Sequence, residues 1–235
     1  MCYRRKEWPL LDTPVNVRIV FQKIGDLQYI SHLDLQRTLH RILVRAGIPM
    51  WYTKGFNPHA KIVFSTPLSV GTQSVCEMVD IRIDRDMPCE MIKALLNREV
   101  TEELRVLDVY LAETKFSEIG WASYEIDLFE EGIEERAEDI AKIMELNEIK
   151  TLKKTKSGEK EIDILPMIRF LSVVLTEAGH IRIHTMLRAG CETHLNPELL
   201  VTVLKKNLTI LDSMDAHYTI MRTATYREDA CTIFE

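Results

Sequence analysis

Arg37, Arg41 and Arg45 recur every fourth residue in a leucine-rich stretch. Guanidinium groups bind phosphate and carboxylate through paired hydrogen bonds. A row of them at helical spacing is therefore a candidate ridge for a polyanion, with an ordinary solvated helix face as the alternative. Downstream, Trp51, Tyr52 and Phe56 alternate with Lys54 and Lys61, and rings beside cations are what stacking on unpaired bases requires. Trp51 and Tyr52 equally suit core packing from a short strand, whereas Phe56 is the ring expected outside. Lys54, Asn57, His59 and Lys61 are candidate phosphate contacts. His59 is also the weak candidate for catalysis, because an unperturbed imidazole titrates near neutrality, and plain turn structure is the competing reading. Lys23 adds a cation at the end of the first strand. His32 either touches substrate or hydrogen-bonds locally at a helix start. Asp34, three residues after Ser31, reads as a capping acid and an i,i+3 partner for Arg37. His32 and Asp34, two apart, do not share a helix face.

The elements that must position these groups follow from hydrophobic period and breakers. Val15–Gln22 alternates as a half-buried strand. Leu33–Ala46 reads as a helix started by Ser31 and stopped by Gly47 and Pro49, with Leu35, Leu39, Ile42, Leu43 and Ala46 on its inner side. Short strands are expected at Met50–Thr53 and Lys61–Phe64, around an exposed turn at Gly55 and Asn57-Pro58. Glu77–Ile83 and Leu104–Leu111 read as strands and Cys89–Asn97 as a helix. The second half repeats the pattern: a strand at Ser123–Phe129, a helix over Ile133–Leu146, a hairpin of Arg169–Leu175 with His180–Leu187, a helix over Pro197–Asn207 capped by Asn196, and a strand at His217–Arg222. The fold class expected is α+β: two tandem ferredoxin-like halves, related to βαββαβ, with antiparallel sheets. The boundaries are a tail over 1–14, a first half over 15–117 and a second over 118–235.

Composition narrows the function classes. The chain of 235 residues is 46% apolar and 28% charged, enough for a sizeable core. No apolar run approaches a membrane span, and the start lacks the apolar stretch of a signal peptide; a cytoplasmic protein without a membrane partner is expected. Five scattered cysteines, with no C-x-x-C pair, argue against a disulfide framework and suit a reducing compartment. No cofactor or metal is expected; His180 and His184 share a strand face, but no carboxylate or third ligand is specified near them. Net charge is −6, yet Val15–Phe64 alone is +5 and the remainder −11. The lysine-rich stretch from Lys150 to Lys160 reads as a solvated hairpin tip.

The Ser31-His32-Leu33-Asp34 run with Leu35 and Arg37, the Gly55-Phe56-Asn57-Pro58-His59 turn with Lys61, and the run on to Pro67-Leu68-Ser69-Val70-Gly71 carry a resemblance. The chain resembles the radical SAM-linked protein family, a bacterial domain of unknown function found with cobalamin-binding radical S-adenosylmethionine proteins. The resemblance implies such a protein as partner and supplies no catalytic residue. The chain itself lacks the C-x-x-x-C-x-x-C spacing that holds the cluster of those enzymes. The leading expectation is an accessory module, not catalytic on its own, that recognises RNA or another phosphate-bearing substrate for modification. Two alternatives stay open: a metal-independent RNA-processing endoribonuclease, by fold analogy, and a protein–protein adaptor.

Overall fold

The computed structural model describes residues 8–155 and 158–235. Cys2, Lys156 and Ser157, the latter two in the expected lysine-rich tip, lie outside the described residues. The chain divides into two compact units, one running to Phe116 and including Glu235, the other spanning Ser117–Phe234.

The first unit runs β1 (Leu10–Lys23), α1 (His32–Arg45), β2 (Ile62–Phe64), β3 (Thr72–Arg85), α2 (Cys89–Leu96) and β4 (Val106–Leu111). Its strands lie in the order β4-β1-β3-β2, and every pairing is antiparallel. Alternation in β1 sends Val17, Ile19 and Phe21 into the core, where Leu35, Leu39, Ile42 and Leu43 of α1 meet them. The helix starts and stops where its caps dictate. Ser31 accepts the amide of Asp34 at 3.1 Å. At the other end the amides of Gly47 and Ile48 donate to the carbonyls of Val44 and Leu43, a Schellman pair that needs the left-handed φ of +70° at Gly47.

Two expectations for this unit are corrected. Strand β1 begins at Leu10, inside the expected tail, because Leu10 pairs with Arg85 before the register shifts and Val15 resumes opposite Ile83. Met50–Thr53 makes only isolated bridges, Met50 to Ile83 and Tyr52 to Ala60. The ladder beside β3 is taken by Ile62–Phe64, so the extra strand vanishes and the order is β-α-β-β-α-β.

The second unit runs β5 (Ile119–Phe129), α3 (Ala137–Ala141), a separate hairpin β6 (Lys150–Thr155) and β7 (Gly158–Asp163), then β8 (Ile168–Leu175), β9 (Ile181–Arg188), α4 (Pro197–Leu208) and β10 (His217–Arg227). The main strands lie in the order β10-β5-β9-β8, again antiparallel. With the hairpin set aside, both units place their fourth strand beside the first, then the third, then the second. The helix expected over Ile133–Leu146 is broken: 3-10 turns at Ile133–Arg136 and Lys142–Glu145 flank the five residues of α3. Acidic residues at 130, 131, 134, 135, 138 and 139 place like charges four apart, which penalises continuous helix. No helix among the described residues is long and apolar enough to cross a membrane.

Candidate functional site

Arg37, Arg41 and Arg45 stand on the exposed side of α1, opposite its buried leucines. Their surroundings differ. Arg37 Nη1 lies 3.3 Å from Asp34 Oδ1, both groups more than half exposed. Arg45 Nε lies 3.1 Å from Glu99 Oε2, and its Nη2 donates to the Glu99 carbonyl at 3.2 Å. Arg41 makes no hydrogen bond or ion pair among the described residues. The Ser31 hydroxyl, and then Arg37, hold the Asp34 carboxyl below its usual range, so the first turn keeps its negative charge against the helix N-terminus. Exposed ion pairs of this kind exchange readily for another anion, since each contributes about 1 kcal/mol or less.

The segment after α1 forms a pinned loop. The Thr53 amide donates to the His59 carbonyl at 3.0 Å, and Thr53 Oγ1 takes the His59 amide at 3.1 Å. His59 Nδ1 lies 3.1 Å from Thr53 Oγ1 and 3.3 Å from the Asn57 carbonyl. Between these fastenings Lys54, Phe56, Asn57 and Pro58 are exposed, and Phe56 is fully so. Gly55, at φ +138°, allows the sharp tip. The loop runs straight through Lys61 into β2. At the start of α1, His32 meets Phe64 of β2 edge-on at 5.2 Å and lies 2.9 Å from Gln36 Nε2. His32 thus ties helix to strand. No hydrogen bond or ion pair among the described residues links the arginine row to the Lys54–Lys61 loop.

Lys23 belongs to neither group. It is 2% exposed and its Nζ donates to the Gln28 carbonyl at 3.4 Å, beside buried Ser74, its partner across the ladder. As the last inward residue of β1 it closes the core, and it is withdrawn from the exposed cations. Arg18 is likewise enclosed. Its guanidinium donates to both Asp80 oxygens at 2.8 and 2.9 Å and to Thr114, and lies 4.3 Å over the Phe116 ring. Burial would lower its pKa, but the Asp80 carboxylate outweighs that and raises it. Two of the seven cations in the +5 stretch are therefore structural.

The sequence profile of a family described as an uncharacterized protein conserved in bacteria (DUF2344) matches residues 16–197. The chain belongs to this family. The match takes in every residue of the ridge and the loop. None of the curated proteins matches the chain. One similar solved structure, an unknown protein from Galdieria sulphuraria, is 9% identical, covers 89% of this chain and 99% of its own, and has a TM-score of 0.26.

The family match also takes in β5 and β9, which hold side chains that local sequence reasoning misses. Pairing of these strands sets Glu125 opposite His184 and Asp127 opposite Arg182. Arg182 donates to both Asp127 oxygens at 2.7 and 2.8 Å and lies 3.5 Å from Glu125. His184 Nδ1 lies 3.6 Å from Glu125, and His180 Nε2 lies 3.7 Å from Asp127. The histidine pair thus has carboxylate neighbours, contrary to the sequence reading. Only the i,i+2 spacing of Glu125 and Asp127 on an alternating strand hinted at them. No three His, Cys, Asp or Glu side chains among the described residues are grouped to hold a metal ion.

At the end of β5, Glu130 accepts the amides of Leu211, Asp212 and Ser213 at 2.6, 3.1 and 3.3 Å. Burial pushes this carboxyl up, yet the three backbone donors prevail and hold it below its usual range.

Proposed function

We propose that this chain is a binding module that recognises RNA, or another phosphate-bearing substrate, through the outer face of α1 and the Lys54–Lys61 loop. It presents that substrate to a radical S-adenosylmethionine partner of the cobalamin-binding type. The observation that carries the reading is the exposed row Arg37, Arg41 and Arg45, in which Arg41 has no hydrogen bond or ion pair among the described residues, Arg37 holds an exposed carboxylate, and Arg45 holds the half-buried Glu99 through its carboxylate and carbonyl. The protruding Phe56, flanked by Lys54, Asn57, His59 and Lys61, supplies a ring for a single-stranded base. The sequence resemblance supports the partner. The strand order shared by both units, fourth-first-third-second and antiparallel, supports reading them as tandem ferredoxin-like halves, a scaffold that fits a cytoplasmic RNA-binding role by analogy alone.

Fluorescence anisotropy with a short single-stranded RNA across a salt series tests the reading. Contact with three phosphates gives a slope of about −2 in log affinity against log salt, at about 0.7 counterion per phosphate. Replacing all three arginines with Gln should flatten that slope and weaken binding while the thermal midpoint stays within a few degrees. Unchanged slope and affinity in the folded variant would remove α1 from the interface. A second reading has one observation in its favour. Since Nδ1 of His59 faces Thr53 and Asn57, its Nε2 has no hydrogen bond among the described residues and could serve as a proton carrier. RNA cleavage in chelator, lost in His59→Ala, would shift the assignment to an endoribonuclease.

A further inference from the structure

The two units treat the same topological edge differently. In the first, the outermost strand β2 is cut to three residues, with Pro67 three positions beyond its end. In the second, β8 holds the corresponding outer place with eight residues, Ile168–Leu175, and bears a single charge, Arg169. It pairs with β9 on one side and, among the described residues, has no strand on the other. Phe170, Val174 and Leu175 are 42%, 47% and 53% exposed. Short edges, prolines and charges are the usual means of keeping an edge from recruiting another strand. β8 is neither short nor charged along its length; its nearest proline, Pro166, precedes the strand, and its one irregularity is a register shift between Ile168 and Phe170.

We propose that β8 is a self-pairing edge: two copies of this chain join through antiparallel β8 strands related by a two-fold axis at Ser172. In that register Phe170 faces Val174 of the second copy and Leu171 faces its Val173, aromatic–branched and branched–aliphatic pairs of the favourable cross-strand kind. The outward amides and carbonyls of both strands are satisfied in the same step. Charge fits as well. The two Arg169 side chains stand six residues apart along the joined strands, about 20 Å. Each instead lies diagonal to Glu177 of the second copy, which is exposed in the turn directly after β8. A long side chain spans that diagonal. The interface is isologous, so association stops at the dimer. It involves none of the residues assigned to anion binding, so the two readings stand or fall separately.

Sedimentation equilibrium of the full chain tests this, with far-UV circular dichroism confirming that each variant is folded. The wild type should be a dimer. Val174→Lys, which sets a lysine against each Phe170, should leave a monomer. Glu177→Arg, an exposed turn substitution, reverses two ion pairs and should weaken the dimer about tenfold. Adding Arg169→Glu to it should restore affinity to within about threefold. A monomeric wild type overturns the proposal, and so does a dimer that Val174→Lys and Glu177→Arg leave unchanged.

Discussion

The unit ending at Phe116 holds 16 basic against 15 acidic residues, and the unit from Ser117 holds 14 against 21, although their main strands follow one another in the same spatial order. The contrast extends to how each uses its charges. Each unit buries an arginine, Arg18 against Asp80 in the first and Arg222 in the second, and the first leaves its α1 arginines outside. The second spends its half-exposed Arg182 on Asp127 and Glu125 across a sheet face. A common strand order therefore fixes where side chains point but not what they offer to a ligand, and the candidate site has to be argued from residues.

The contrast can be broken or sharpened by substitution. The largest effect is expected at the buried pair. Asp80→Ala leaves the buried Arg18 guanidinium its Thr114 hydrogen bonds but removes its paired carboxylate, and loss of one partner from a buried ion pair costs about 3–5 kcal/mol. Urea unfolding of the full chain would show it. A loss below about 1 kcal/mol would mean that Arg18 reaches solvent. Next, Gly47→Ala forces a side chain into the left-handed φ of the α1 terminus, where nothing crowds a Cβ, so the cost is the backbone term alone, about 1–2 kcal/mol. Amide exchange should quicken first in α1. Asp127→Ala, the counterpart of Asp80→Ala in the second unit, removes a partner from a solvated arginine and should cost about 1 kcal/mol or less. A loss equal to that of Asp80→Ala would erase the distinction between the units.

The smallest effect is a titration. Tyr218 donates to Glu198 at 2.7 Å, and burial together with that carboxylate pushes its pKa up to about 12. The raised value means that the neutral phenol is favoured in the folded state. Its contribution is complete below the unfolded value of about 10 and is lost as pH rises through about 12. Ultraviolet difference spectroscopy should find two of the seven tyrosines ionising late, Tyr218 and Tyr110, the latter raised by burial, and Glu198→Gln should bring Tyr218 earlier.

Legibility from sequence followed the range of the interactions. Helix α1 was readable to within a residue because Ser31, Gly47 and the leucine period are local signals, and the exposed tip at Phe56 was readable because Gly55 and Pro58 are local breakers. The helix over Ile133–Leu146 was misread because hydrophobic period ignores the like charges that fragment it. The enclosure of Lys23 was not legible at all, and the meeting of Glu125 with His184 was hinted at only by the i,i+2 spacing of Glu125 and Asp127. Both follow from strand pairings between residues about 50 to 60 positions apart, so the partner is not written in the neighbouring sequence.

The three amides that converge on Glu130 are the kind of backbone cradle that elsewhere captures a free anion. Here the chain has filled it with its own carboxylate, tethered and always at hand. A soluble phosphate arriving at the turn over 211–213 meets a seat already taken by a permanent tenant. The amides of Leu211, Asp212 and Ser213 are thereby withdrawn from any anion but the chain's own.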